Sequence, residues 1–283
     1  MRKLSLLLMI GTILAPWSAE AACKTAPDCA SLGFTTDASK CSGTALKCPW
    51  DATKAACKEK PLTSELPILY GDGTISNDVI IGNTPIGLVI DASNKLAVAF
   101  TNIDDKGLIS TQKTGWISGI NEPHSFPFCF YRVLEECDYT SQSPSTCAPD
   151  GQQNTKLMLE TTETITSYRG NTFQCKTLAK AALACNSYLP PICNQDFCKK
   201  TKWFLPSINE LTKIYNSKTA IKSSLDTINL VFTGRIPVAS LAGSYCSSNK
   251  ESLYSRWDFD TDGGIPSKVN ITDSCYIRPV MKY

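Results

Sequence analysis

Blocks of apolar residues separated by turn-forming residues begin near position 62. An apolar run at 86–90 and a second run at 96–101 enclose five residues, 91–95, that are typical of a turn. This pattern predicts a β-hairpin. Residues 138–155 are polar and rich in turn formers, which predicts an irregular surface segment.

Alternation of apolar and polar residues marks the C-terminal part of the chain. Residues 252–260 alternate along their length, which predicts a strand with one face in the core. Residues 261–264 read Thr-Asp-Gly-Gly, a signal for a hairpin turn. Residues 275–280 have the pattern of a final strand.

Two helices are predicted between these strand-rich parts. The first spans residues 172–188, with Asn171 as its cap and Pro190 beyond its end. Its buried stripe has the helical spacing 3-4-3-4 and consists of Cys175, Leu178, Ala182, Cys185 and Leu189. The second helix begins at Ser207, because Ser207 and Glu210 form an S-x-x-E capping box ahead of an apolar face.

The N-terminal residues 1–21 have the pattern of a secretory signal peptide. Two basic residues precede an apolar run of 14 residues, shorter than the about 20 that span a bilayer. Residues 19–21 form an A-x-A cleavage site. We therefore expect an exported protein, whether secreted, periplasmic or on the outer cell surface, with no transmembrane segment. Lipidation of Cys23 is an alternative.

The 14 cysteines divide the chain into two parts. Such a count fits an oxidising compartment, and the lack of any C-x-x-C pair favours disulfides over structural zinc. Five cysteines lie in the polar segment 22–61, which predicts a small disulfide-stapled module ahead of a main domain at 62–283. The main domain holds the other nine, so complete pairing requires at least one bridge between the two parts. The alternatives are a lipidated Cys23, two free thiols or an intermolecular bond.

Two of these cysteines lie on the predicted first helix. Cys175 and Cys185 share its buried stripe but are separated by about 15 Å of helix. A disulfide requires Cα atoms within about 7 Å, so these two cysteines cannot bond to each other. We expect each of them to hold the helix to another element.

Composition narrows the chemistry further. A formal net charge of +2 argues against a nucleic-acid partner, and the single histidine, His124, excludes a His-rich metal site. No nucleophile motif accompanies that histidine, so we expect neither an enzyme nor a cofactor. Residues 258–263 open like an EF-hand loop, but the twelfth position is Val269 instead of glutamate, so no metal site is predicted.

Four ordered motifs carry a family resemblance. They are Trp203–Leu211 (WFLPSINEL), Tyr245–Ser248 (YCSS), Trp257–Gly263 (WDFDTDG) and Ile277–Val280 (IRPV). Together they resemble the W-x-L-P-x-x-x-E-L, YWSS, W-x-V-x-F-x-x-G and V-R-P-V signatures of bacterial Lcl C-terminal-type domains. The resemblance covers residues 200–283 well, 85–199 loosely and the Cys-rich module hardly at all. Cys246 stands where the family has the tryptophan of YWSS.

The resemblance implies a fold and a class of function. The implied fold is C-type-lectin-like, an α+β domain with two helices on a small twisted antiparallel sheet. In lectin-like domains a bridge joins the first helix to the last strand, which by position implies a disulfide between Cys175 and Cys275. Relatives of the fold serve as adhesins and ligand-binding tips, and the function of this family is mostly uncharacterised.

A ligand-binding face is predicted in residues 244–260, where polar and aromatic residues mix as they do in binding loops. The candidate residues are Ser248, Asn249, Lys250, Tyr254, Arg256 and Asp258. We expect a non-enzymatic binding or adhesion protein that recognises a protein or a glycan through this face. The alternatives are a structural component of the cell envelope or of an appendage and, after that, a hydrolase or thiol oxidoreductase.

Overall fold

A computed structural model describes most of the predicted main domain. The described residues are 62–80, 82–116, 134, 150–166, 170, 172–191, 193, 196–199, 201–232, 236–252 and 254–283. The predicted signal peptide, the predicted Cys-rich module and His124 lie outside the described residues. No helix in the described part of the chain combines the length and the apolar character needed to cross a membrane.

Residues 63–283 combine helices with small antiparallel sheets, so the α+β class is confirmed. The strands are β1 (Thr63–Tyr70), β2 (Ile75–Asp78), β3 (Pro85–Asp91), β4 (Leu96–Ala99), β5 (Thr114–Gly115), β6 (Thr164–Thr166), β7 (Thr172–Gln174), β8 (Trp203–Phe204), β9 (Ser244–Lys250), β10 (Ser255–Asp260), β11 (Ile265–Asn270), β12 (Ser274–Cys275) and β13 (Val280–Lys282). The helices are α1 (Gly151–Glu160), α2 (Cys175–Leu178), α3 (Lys180–Ser187), α4 (Ile208–Asn216) and α5 (Lys218–Val231), with a 3-10 turn at Asp196–Cys198.

The largest sheet has six antiparallel strands in the order β2-β1-β3-β4-β13-β8. The predicted hairpin is confirmed as β3 and β4, in which Leu88 is paired with Val98. Leu88 packs into one core and the next residue, Val89, packs into another. Successive side chains on a strand point to opposite faces, so a strand covered on both sides becomes a continuous apolar run.

Helices cover both faces of this sheet. One core takes apolar side chains from α1, α2 and α3, including Met158 and Leu178. The other takes the buried faces of α4 and α5, including Leu211 and Leu225. Burying each of these side chains stabilises the fold by roughly 1.5–3 kcal/mol.

The predicted second helix is confirmed as α4. Ser207 Oγ accepts the backbone N–H of Glu210 at 3.2 Å, and Glu210 Oε2 accepts the backbone N–H of Ser207 at 2.7 Å. These two bonds complete the capping box. Helix α5 was not predicted from the sequence. It packs against β1, where Ser224 Oγ accepts the Leu66 N–H at 2.9 Å.

The prediction of one helix over residues 172–188 is wrong. Residues 172–174 form β7, which pairs with β6, and the helical part is divided at Ala179 (φ −74°, ψ 60°). Because residues 172–174 pair with β6, the helix begins at Cys175, and the predicted cap, Asn171, lies outside the described residues. The divided helix ends at Ser187, ahead of Pro190.

The predicted irregular segment also contains a helix. Residues 151–155 begin α1, because the Asp150 carboxylate accepts the backbone N–H of Gln152 at 2.9 Å and so caps the helix. The turn-forming residues at the end of that segment are therefore a helix start rather than a loop.

A second sheet has three antiparallel strands in the order β11-β10-β9. The predicted hairpin turn is confirmed, with residues 261–264 joining β10 to β11. The predicted strand is found as β10, but it begins at Ser255 and has both faces buried instead of one. The predicted final strand at 275–280 is instead two short strands, β12 and β13. Tyr276 pairs with β9 and Val280 pairs with β4, so the chain passes from one sheet to the other between them.

Candidate ligand-binding site

An open cleft of about 510 Å³, lined mostly by residues with polar side chains, lies where α1 and α4 begin beside β13 and the β3–β4 turn. Its lining residues are Asn94, Leu96, Asp150, Asn209, Glu210, Thr212, Lys213 and Lys282. Capping and ion pairing position several of these side chains. From the sequence, Glu210 was predicted only as a capping residue and the other lining residues were not predicted, because they come from four separate parts of the chain.

Glu210 lies at the base of this cleft and joins the starts of two helices. Its Oε2 accepts the backbone N–H of Ser207 at 2.7 Å and that of Gly151 at 3.2 Å. A Cβ on Gly151 would lie 2.5 Å from Oε2 and 2.4 Å from the Leu205 carbonyl oxygen, so only glycine allows this approach. Burial raises the pKa of the Glu210 carboxyl to about 7 and outweighs the hydrogen bonds from Ser207, which lower it.

Two ion pairs hold the rim of the cleft. Lys282 Nζ lies 2.7 Å from Asp150 Oδ2, and Lys213 Nζ lies 2.5 Å from Asp91 Oδ2. The bond from Lys213 is the largest cause that lowers the pKa of Asp91 to about 2. Asn94 Nδ2 donates to the same Asp91 oxygen at 2.7 Å, which fixes the side chain of Asn94 at the rim.

The charges and hydrogen-bonding groups of this cleft suit a polar ligand of low net charge. Lys213 and Lys282 are each neutralised by a carboxylate, so the site has no strong excess of either sign. Amide, ammonium and carboxylate groups offer donors and acceptors side by side, as hydroxyl-rich or peptide ligands require. Glu210 adds a carboxyl that gains or loses a proton near neutral pH.

Two further cavities are smaller. A cleft of about 360 Å³ beside α1 and β8 includes Lys156, Trp203 and Phe204 in its lining. A groove of about 270 Å³ beside α5 has the apolar side chains Ile221, Leu225 and Leu241 along its floor.

The structure buries most of the ligand-binding face that was predicted in residues 244–260. Of the six candidate residues only Tyr254 is exposed, at 50% of its surface, while the other five are almost wholly buried. The buried five are Ser248, Asn249, Lys250, Arg256 and Asp258. β10 is the central strand of its sheet and β9 packs against α1 and α4, so polar character here does not indicate exposure.

The polar residues of β9 instead form hydrogen bonds with neighbouring elements, mostly with backbone groups. Asn249 Oδ1 accepts the N–H of Ile208 at 2.7 Å, at the start of α4. Ser248 donates its backbone N–H to the Pro206 carbonyl oxygen at 2.7 Å, and its hydroxyl accepts from Asn154 at 3.2 Å. These bonds satisfy groups at the helix start that would otherwise be buried without partners.

Arg256 and Asp258 form a buried ion pair. Nε and Nη2 of Arg256 donate to the two carboxylate oxygens of Asp258 at 2.8 Å and 2.9 Å, a bidentate arrangement. Nη1 donates to the Asn270 carbonyl oxygen at 2.8 Å. Burial raises the pKa of Asp258, and the guanidinium opposes that rise. This pair joins β10 to β11 and is not available to a ligand.

The implied disulfide between Cys175 and Cys275 is wrong. Cys275 is bonded to Cys246, with Cα atoms 5.3 Å apart, and a second disulfide joins Cys193 to Cys198. Tyr276 exchanges backbone hydrogen bonds with β9, which places the preceding residue beside Cys246.

Two other cysteines differ in state. Cys175 is also disulfide-bonded, whereas Cys185 is a buried free thiol whose pKa burial raises. The 14 cysteines are therefore not all paired. The predicted bridge between module and main domain was required only if all of them were paired.

The groups that resemble metal ligands have other partners. Among the described residues, Cys246, Asp258 and Cys275 place their ligand atoms within 4.8 Å of one another. The two sulfurs are bonded together and Asp258 is held by Arg256. In the EF-hand-like segment, the Asp260 carboxylate accepts the backbone N–H groups of Asp262 and Gly263, each at 3.1 Å, and so stabilises the turn.

No protein-family model matches this chain, and no curated protein is significantly similar to it in sequence.

Proposed function

We propose that this chain is an exported, non-enzymatic binding or adhesion protein that recognises a protein or a glycan through the cleft at Glu210. The observation that carries the proposal is the composition of that cleft, in which paired charges and side-chain amides line about 510 Å³ of open space. Ion pairs and capping bonds hold these groups in place before a ligand arrives, which reduces the entropy lost on binding.

The fold assigned with this function is C-type-lectin-like. Supporting it, the four resemblance motifs fall on β8 with α4, on β9, on β10 with its turn, and on the approach to β13. The last strand, β13, lies inside the six-stranded sheet, between β4 and β8. Export is supported by the disulfides and by the sequence of residues 1–21.

Binding fits the geometry better than catalysis does. Glu210 has the raised pKa of many general acids, but its Oε2 already accepts two backbone N–H groups. Asp150, the other carboxylate of the cleft, is held by Lys282 and by the start of α1. Both carboxylates therefore have structural partners, and no cysteine or histidine is among the described lining residues.

The test is a screen of the mature protein against glycan and peptide arrays, followed by titration of each hit. Lys282→Ala is expected to weaken binding about tenfold, because an ammonium group that contacts a bound ligand contributes about 1.4 kcal/mol or more. Lys222→Ala, which removes an equally simple exposed ion pair with Asp226, is the matched control. Tyr254→Ala tests the face predicted from sequence and is expected to leave affinity unchanged.

Two results would overturn this proposal. One is the absence of binding to any array class, and the other is an equal loss of affinity in Lys222→Ala and Lys282→Ala. Turnover of an array ligand by the wild type, abolished in Glu210→Gln, would establish a hydrolase in place of a binding protein.

A second candidate function is a structural envelope or appendage component. Gly107 packs against the end of α3. The following residue, Leu108, is exposed at 62%, and Leu189, which follows α3, is exposed at 44%. Exposed apolar side chains mark assembly surfaces when they form one continuous patch. If these two leucines mediate assembly, sedimentation of the mature protein gives oligomers that Leu108→Ser with Leu189→Ser converts to monomers.

A further inference from the structure

Two arginine side chains are buried in the described part of the domain, and the two have very different surroundings. Arg256 is wholly buried and has a bidentate partner in Asp258. Arg278, which precedes β13, is 1% exposed, and no carboxylate among the described residues forms an ion pair with it. An arginine keeps its charge at any ordinary pH, so both sites must accommodate a cation.

The donors of Arg278 are only partly satisfied. Nη1 donates to Asn102 Oδ1 at 3.1 Å and to the Ala239 carbonyl oxygen at 3.0 Å. Within the described part of the chain, Nε and Nη2 have no acceptor. Leaving a buried charged donor without a partner costs several kcal/mol, so an acceptor at these two nitrogens would stabilise the fold strongly.

A further donor lies in the same neighbourhood. Tyr245 is buried, and its hydroxyl group has no partner among the described residues. Tyr245 forms an isolated β-bridge with Tyr276, which lies two positions before Arg278, so the backbones of Tyr245 and Arg278 run close together. The Tyr245 ring packs against Tyr276, which restricts its position.

We propose that Arg278 and Tyr245 bind one small inorganic anion of the size of chloride. Two N–H groups and one O–H group are all donors, so they select an acceptor, and the guanidinium charge selects a negative one. Because Arg278 and Tyr245 are almost completely enclosed, the ligand must be small. The bound anion supplies to Arg278 the negative charge that Asp258 supplies to Arg256.

The first test is the thermal midpoint of the mature protein in sodium chloride and in sodium gluconate at equal ionic strength. Gluconate is too large for an enclosed site. An anion bound only by the folded state raises the midpoint by about 3 °C for each tenfold increase in chloride above its Kd. Tyr245→Phe, which removes one donor and keeps the ring, is expected to lower the apparent chloride affinity several-fold.

Further variants separate this site from general salt effects. Arg278→Met is expected to abolish the difference between chloride and gluconate, and Lys222→Ala, at the surface, is expected to keep it. Equal midpoints in the two salts for the wild type would overturn the proposal. So would a chloride effect that persists unchanged in Tyr245→Phe and in Arg278→Met.

A second measurement does not depend on any variant folding. In crystals of the mature protein grown with sodium bromide, an anomalous peak is expected within hydrogen-bond distance of Nε or Nη2 of Arg278. A water molecule at that position without anomalous signal would overturn the proposal, as would bromide bound only at the protein surface.

Discussion

The side chain of Glu210 accepts the backbone N–H of Gly151 across 59 positions of sequence, at 3.2 Å. The same oxygen accepts the N–H of Ser207, so one carboxyl holds the starts of α1 and α4 together. This contact also forms the base of the proposed ligand cleft. Stability and binding are therefore expected to depend on the same side chain.

Glu210→Gln is expected to change how stability depends on pH. The pKa of Glu210 is raised from 4.5 to about 7, so the folded state binds more protons than the unfolded chain between these values. Its contribution is complete below about pH 4.5 and is lost as pH rises through 7, for a total of about 3 kcal/mol. Urea unfolding across this range should give a flatter profile for Glu210→Gln. Glu160→Gln, at an exposed carboxyl, is the control, and an unchanged slope in Glu210→Gln would contradict the assignment.

Lys213→Met is expected to raise the pKa of Asp91. That pKa is about 2, below the ordinary 3.8, and the hydrogen bond from Lys213 is the largest cause. Because Asn94 still donates to Asp91 in the variant, the pKa should rise only part of the way to 3.8. Carboxyl-carbon NMR titration measures this shift directly, with Lys222→Met as the distant control. An Asp91 pKa that stays near 2 would assign the effect to the β3–β4 turn instead.

Gly264→Ala is expected to destabilise the fold by about 1–3 kcal/mol. Gly264 has φ +69°, and an added Cβ would lie 2.4 Å from the Tyr215 ring. Gly263 is the matched control, since its nearest neighbour would be 3.0 Å away and its φ is not in the left-handed region. Denaturant unfolding should therefore give a much lower free energy of unfolding for Gly264→Ala than for Gly263→Ala. When both substitutions are made in a Tyr215→Ala background, the loss of stability caused by Gly264→Ala should become smaller, whereas that caused by Gly263→Ala should not change.

Non-reducing peptide mapping is expected to recover linked peptides for Cys246 with Cys275 and for Cys193 with Cys198. Cys185 should react with a thiol reagent only after unfolding, because it is free and buried. A peptide joining Cys175 to Cys275 would instead restore the pairing implied by the lectin-like resemblance.

Removing the Cys246–Cys275 disulfide should be costly. Replacing both cysteines by alanine removes a cross-link between residues 29 positions apart. We expect the free energy of unfolding to fall by about 2–4 kcal/mol. The free energy of unfolding from urea titration measures this loss. Cys185→Ala is the control, because it removes a thiol without breaking a disulfide. An equal loss of stability in Cys185→Ala and in the double variant would contradict a structural role for the disulfide.

Local signals in the sequence were sufficient for several elements. The capping box at Ser207 and Glu210 depends on residues three positions apart, so α4 could be predicted where it occurs. The β3–β4 hairpin and the 261–264 turn are equally local. The helix predicted over 172–188 failed because pairing of β7 with β6 took Thr172–Gln174 into a strand.

The candidate site could be predicted only in part, because burial is a property of the whole fold. A run of polar residues such as Ser247–Lys250 looks solvent-exposed until α1 and α4 pack over it. Once buried, those side chains must find hydrogen-bond partners, and they find them on neighbouring helix starts. The polar composition of this segment was compatible both with a solvent-exposed binding face and with a buried hydrogen-bonded strand.

The sequence by itself determined the α+β class, the cap of α4, two hairpins, and the prediction that the cysteines form disulfides rather than bind metal. Only the tertiary structure decided which cysteines meet, which polar residues are buried, and that Asp150, Glu210, Lys213 and Lys282 line one cleft. The physical reason is range. Caps and turns form between residues a few positions apart, whereas a cleft, a buried charge or a disulfide depends on contacts between segments far apart in the chain.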